Sequence, residues 1–157
     1  MTRARNGWVL LIALCVLVGC GSIKSKLGIG QPHASLRSLS VSADPGANRG
    51  NGIQLDIVVV YSSNALAMLP KTGPEWFQQR AALKKALGKE IQVVSVESVA
   101  PDEVFAVDLP RDTRKKGLAV YAFANYVAPE GWPPIALTRY KRAALRLQAT
   151  SIELSEQ

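Results

Sequence analysis

From residue 36 onward, apolar and polar positions alternate at the period of strands. Leu36–Ala43 places Leu39, Val41 and Ala43 against Ser38, Ser40 and Ser42, the signature of a half-buried strand. The turn-rich segment Asp44–Gly52 follows, with Pro45, Gly46, Asn48, Gly50 and Asn51. Ile53–Tyr61 is a stronger strand. Ile53, Leu55, Ile57, Val59 and Tyr61 share one face, while Val58 and Val60 make its far end apolar on both faces, which predicts a central position in a sheet. Further strands are expected at Ile91–Val99, Glu103–Leu109, Leu118–Val127, Ala143–Leu147 and Ser151–Leu154.

One segment breaks the period. Thr72-Gly73-Pro74-Glu75 reads as a capping box, with Thr72 as cap and Glu75 three residues on. Proline in the first turn loses little, because the N–H it lacks would have no intrahelical partner. Trp76, Leu83 and Leu87 then recur at helical spacing up to Gly88, which predicts a helix over residues 74–87. Many short strands and one helix predict a mainly β chain, a β-sandwich in which the helix is an insertion lying across an edge or open end.

The first 35 residues follow different rules. Arg3 and Arg5 precede the unbroken apolar run Trp8–Val18, which is short for a membrane-spanning helix, since that needs about 20 residues. The run ends Leu17-Val18-Gly19-Cys20. This resembles the lipobox of bacterial lipoproteins, in which a large aliphatic and a small residue precede a lipid-bearing cysteine. The resemblance implies a signal peptide over residues 1–19, cleavage before Cys20, and acylation of that thiol. Gly21, rather than an acidic residue, follows, which by the enteric sorting pattern implies the inner face of the outer membrane. Residues 21–35, rich in Gly, Ser and Lys, read as a tether, so that the domain spans residues 36–157. Two or three acyl chains on Cys20 would hold where a single chain detaches.

Removing the leader removes Cys15, and the one remaining cysteine excludes an internal disulfide. The net charge falls from +7 to about +5. Such a surface suits anionic headgroups or an acidic protein, and export argues against nucleic acid. The basic residues cluster as Arg111, Arg114, Lys115 and Lys116, then Arg139, Lys141 and Arg142, then Arg146. Solvation is their default role, with partner binding as the alternative.

Catalytic chemistry finds no foothold. His33 is the single histidine and falls in the tether, without the fixed partner a general base requires. No Cys/His cluster has zinc or copper spacing, and the glycines at 46, 50 and 52 lack the rest of a phosphate-binding motif. The expectation is a non-enzymatic chain with no metal, no cofactor and no small-molecule substrate.

Three stretches together carry a family resemblance: Leu39–Ala43, Leu55–Tyr61, and above all Pro110–Phe123, where a Pro-x-x-Thr turn leads into a glycine-aliphatic-Ala-Phe strand. The chain resembles the outer-membrane lipoprotein of the type VI secretion membrane complex. That resemblance implies a transthyretin-like sandwich and a scaffolding role, with the first inter-strand loop meeting the periplasmic part of the large inner-membrane subunit. Here the loop is Asp44–Gly52, and Asn48, Arg49 and Asn51 become the candidate partner residues. A competing expectation is a periplasmic binding or inhibitor lipoprotein that recognises a cell-wall enzyme or fragment. It rests on the helix residues Trp76 and Phe77, for which core packing is nevertheless the preferred reading, and on Trp132, which if exposed could stack on sugar or protein.

Overall fold

The computed structural model describes residues 33–127 and 131–157. Strands β1 (Ser38–Ala43), β2 (Ile53–Val60), β3 (Ile91–Val99), β4 (Val104–Val107), β5 (Ala119–Asn125), β6 (Ile135–Ala136), β7 (Arg142–Leu147) and β8 (Ile152–Glu156) form two sheets. One has the order β4-β1-β7-β8 and the other β3-β2-β5-β6. β1 pairs parallel with β7, and the remaining pairs are antiparallel. The expected sandwich is present, and each expected strand is found within a few residues of its bounds. The two-residue β6 was not foreseen, because Ile135 and Ala136 are too few to show a period.

The alternation in β1 packs as read: Leu39, Val41 and Ala43 are buried between the sheets. They meet Ile53, Leu55, Ile57 and Val59 of β2, Val120, Ala122 and Ala124 of β5, and Ala143, Leu145 and Leu147 of β7. Burying a side chain of this size contributes about 1.5–3 kcal/mol, so this inter-sheet layer dominates the domain's stability.

β2 is central, between β3 and β5. Its two apolar faces have a second cause, however. Helix α2 (Gly73–Leu87) lies on the outer face of this sheet, not across an edge or open end. Val58, Val60, Ala119 and Phe123 point away from the partner sheet and bury Trp76, Leu83 and Leu87 in a second core. The molecule therefore has three layers: sheet, sheet, helix. A short helix α1 (Ser63–Met68) precedes α2 and buries Ala65 in the same core. Ser62 caps it, accepting from the Ala65 N–H at 3.0 Å. A third helical turn, α3 (Thr113–Lys116), precedes β5. Both were missed because neither is long enough to show a helical period.

At the start of α2, Thr72 Oγ1 accepts from the Glu75 N–H at 3.4 Å, as the capping box requires. Glu75 does not return to the cap residue, but accepts from the Lys71 N–H at 3.1 Å. Gly73 is needed here. Its N–H donates to the Trp132 carbonyl at 2.8 Å, and a Cβ would sit 2.3 Å from the Ala124 carbonyl oxygen. Only a residue without a side chain lets the helix start this close to β5.

The domain also begins earlier than composition implied. Ala34 and Ser35, read as tether, donate their N–H groups to Gly117 and Thr138 carbonyls at 2.9 and 2.8 Å, and Ala34 is buried. His33 is exposed. The leader, the lipobox and Cys20 lie outside the described residues.

Candidate functional site

The sandwich has two poles. β1 ends and β2 begins at one, joined by Asp44–Gly52. β1 starts and β2 ends at the other, where residue 33 enters the domain.

The loop pole is pinned rather than loose. Asn48 adopts φ +48° and Arg49 φ +58°, both left-handed, and Asn tolerates that region better than most residues. The Asn48 side chain is 1 % exposed. Its Oδ1 accepts from the Val127 N–H at 2.7 Å, and its Nδ2 donates to the Gly52 carbonyl at 3.3 Å. Its own N–H donates to the Gln148 carbonyl at 3.1 Å. One side chain thus ties the loop to the end of β5, and one backbone group ties it to the β7–β8 turn. Asn48 is a positioning residue with nothing left to offer a partner. Arg49 and Asn51, in contrast, are exposed, although Asn51 Nδ2 donates back to the Asn48 carbonyl at 3.0 Å.

Residues outside the expected set complete this pole. Arg146 Nε donates to Asp44 Oδ1 at 2.8 Å, and that bond raises the guanidinium pKa above its ordinary value. Tyr126 is buried, and its hydroxyl donates to the Gln148 and Ser151 carbonyls at 3.0 and 3.2 Å. Burial pushes its pKa up to about 12. Val127 stands beside Asn48 with 60 % of its surface exposed, an apolar spot on this pole. Composition alone gave no sign that Val127 and the first loop meet.

Core packing, the preferred reading of Trp76 and Phe77, is what the structure has. Trp76 is fully buried, stacked on Phe123 with centroids 4.8 Å apart. Its Nε1–H donates to Asp56 Oδ2 at 2.8 Å. Arg80 NH1 reaches the same oxygen at 3.4 Å and lies over the Phe77 ring at 5.3 Å. Trp132 is half-buried, edge-on to Tyr126. Trp76 therefore anchors the helix layer and presents nothing to sugar or protein.

The basic clusters divide between the poles. Arg146 is at the loop pole. The first two clusters converge at the chain-entry pole, because Ala34 bonds to Gly117, Ser35 to Thr138, and the Arg37 N–H to the Lys141 carbonyl at 2.8 Å. Gly117 allows this join, since a Cβ would lie 2.3 Å from the Thr113 carbonyl oxygen. Among the described residues, no group of three potential metal ligands lies together, and no helix is long and apolar enough to cross a membrane.

The domain is thus a two-sheet sandwich with a helix on one outer face, pinned at one loop pole and entered at the opposite pole. No protein-family model and no curated protein matches the chain in sequence. Solved structures do match it in fold. The type VI secretion lipoprotein TssJ1 of Pseudomonas aeruginosa superposes with a TM-score of 0.55 at 14 % identity, over 80 % of this chain and 97 % of that one. Lip of Serratia marcescens, a membrane-bound component of the type VI secretion system, gives 0.50 at 13 % identity, over 76 % and 96 %. A chain of a type VI membrane complex gives 0.54 at 15 % identity, over 75 % and 95 %. The chain shares the fold of type VI secretion lipoproteins.

Proposed function

We propose that this chain is an acyl-anchored component of a type VI secretion membrane complex, held at the periplasmic face of the outer membrane through Cys20. The observation that carries the reading is a conjunction. The domain matches nearly the full length of a type VI lipoprotein in fold, and the chain ahead of it carries Leu17-Val18-Gly19-Cys20 after a short apolar run. On this reading the domain is a scaffold with no catalytic step. Its partner is the periplasmic part of the inner-membrane subunit, and the contact is the loop pole.

Arg49, Asn51 and Val127 form the surface that meets the partner. Asn48, Tyr126 and the Asp44–Arg146 pair hold it in shape. A rigid loop binds with less ordering cost than a mobile one, which gives the pinning a purpose. The test is affinity capture of the full chain from native membranes. The wild-type chain is expected to recover the inner-membrane subunit. A variant carrying Arg49→Ala, Asn51→Ala and Val127→Ser is expected to lose it while keeping its circular dichroism spectrum. An unchanged partner set from that folded variant would remove the loop pole from the account.

A further inference from the structure

At the chain-entry pole a hollow of about 280 Å³ opens between β1 and the turn that precedes β5. Arg37, Arg111, Arg114 and Lys115 line it, all exposed, and among the described residues no carboxylate lines it. The nearby Asp112 pairs with Lys116, whose Nζ donates to its Oδ2 at 2.9 Å, so those two residues together add no net charge and the four lining cations remain in excess. Thr113 also lines the hollow. It is 2 % exposed, and its hydroxyl, shielded from solvent, has no hydrogen-bond partner. An unpaired buried hydroxyl destabilises a fold unless something bonds to it. The Thr113 hydroxyl lies behind the lining, and the charge of the hollow itself, concentrated and positive, is what suits a phosphate oxygen.

The place of the hollow points to where that phosphate resides. The first described residues, His33 and Ala34, join the domain at Gly117, directly after α3. Only residues 21–32 separate Cys20 from them, a length that reaches at most about 45 Å when fully extended. Arg139 and Lys141, both exposed, extend the basic surface across the same pole through the Ser35–Thr138 and Arg37–Lys141 bonds. Scattered solvated charges have no reason to gather where the chain enters.

We propose that the hollow receives the phosphate of an anionic lipid headgroup, so that the domain stands on the bilayer by its chain-entry pole with the Asp44–Gly52 pole turned away. The proposal rests on Cys20 being the anchor. It goes beyond anchoring, because a tether alone fixes distance but not orientation.

Lysine acylation footprinting tests it on the mature lipidated chain. The protein is reconstituted into vesicles of phosphatidylcholine alone, or with phosphatidylglycerol added. Lys71, exposed at the start of α2 near the other pole, is the internal reference. Anionic vesicles are expected to slow modification of Lys115 and Lys141 about fivefold relative to Lys71, the factor equivalent to one such contact. Phosphatidylcholine vesicles are expected to leave the ratio near that in detergent. Arg111→Gln with Arg114→Gln is expected to abolish the protection of Lys141.

Equal reactivity in both vesicle types overturns the proposal. So does protection in native membranes that anionic vesicles fail to reproduce, which assigns the pole to an acidic protein. Release of the chain from both vesicle types by an alkaline wash overturns the anchor reading itself, and the proposal with it.

Discussion

Replacing Asn48 with alanine tests whether the loop pole is held as described. The substitution removes the acceptor for the Val127 N–H at 2.7 Å and the donor to the Gly52 carbonyl at 3.3 Å. The first bond is short and partly buried, so its loss costs about 1–2 kcal/mol; the second is long and reaches an exposed residue, which water satisfies at about 0.5 kcal/mol or less. Alanine must also hold φ +48° without the local compensation asparagine has, adding about 1 kcal/mol. The total is about 2–3 kcal/mol, read as a lower midpoint in urea unfolding with an unchanged slope. For a domain of this size that corresponds to about 3–5 °C in Tm per kcal/mol. Asn48→Gly separates the causes. Glycine accepts the backbone angle but makes neither bond, so it should recover about 0.5–1 kcal/mol of the loss. A local readout accompanies the global one: trypsin should cleave after Arg49 faster in the alanine variant than in the wild type, because the loop then opens without global unfolding. If Asn48→Ala unfolds within 0.5 kcal/mol of wild type and Arg49 stays equally resistant, the side chain is not the bolt described.

Three further outcomes follow from the packing. Trp76→Phe should cost about 2–3 kcal/mol in urea unfolding, because it leaves the buried Asp56 carboxylate one hydrogen bond short. In an Asp56→Leu background the same change should cost less than half as much, and strict additivity would deny the coupling. Thr113→Val should raise stability by about 1 kcal/mol, since it deletes a buried hydroxyl without a partner; a loss instead would mean that the hydroxyl is satisfied within the domain. Tyr126 contributes a pH dependence whose sign is fixed. Its folded pKa, about 12, lies above the ordinary value of 10.0, so stability is unaffected below pH 10 and falls as the unfolded chain ionises first, from pH 10 towards about 12. Tyr126→Phe, followed by thermal melts across that range, should show a smaller alkaline decline than the wild type; parallel curves would contradict the burial argument.

What the sequence reveals follows from how local each cause is. The serine–aliphatic alternation in β1 and the valine-rich β2 declare their strands, because a two-residue period is written in neighbouring positions. Thr72 and Gly88 likewise mark the helix ends. The placement of α2 was not legible in the same way. Val58, Val60 and Phe123 on the outer face of their sheet already required a cover, but two apolar faces fit a central strand equally well without one. The loop Asp44–Gly52 is recognisable as a turn from its composition. Which asparagine is buried depends on Val127, 79 residues away, and no local pattern encodes that pairing. The same distance problem hid the basic pole. Arg111–Lys115 and Arg139–Lys141 look like separate solvated runs until the joins of Ala34 to Gly117 and Ser35 to Thr138 place them beside the point of chain entry.

The proposed membrane-facing and partner-facing poles have meaning only if the chain is fixed to lipid at one residue. Mass spectrometry of the N-terminal tryptic peptide from membrane-purified protein measures this directly. The account predicts a peptide that begins at Cys20, ends at Lys24, and carries the added mass of a diacylglyceryl group on sulfur. A mature chain that begins elsewhere, or a Cys20 thiol free of lipid, would contradict it.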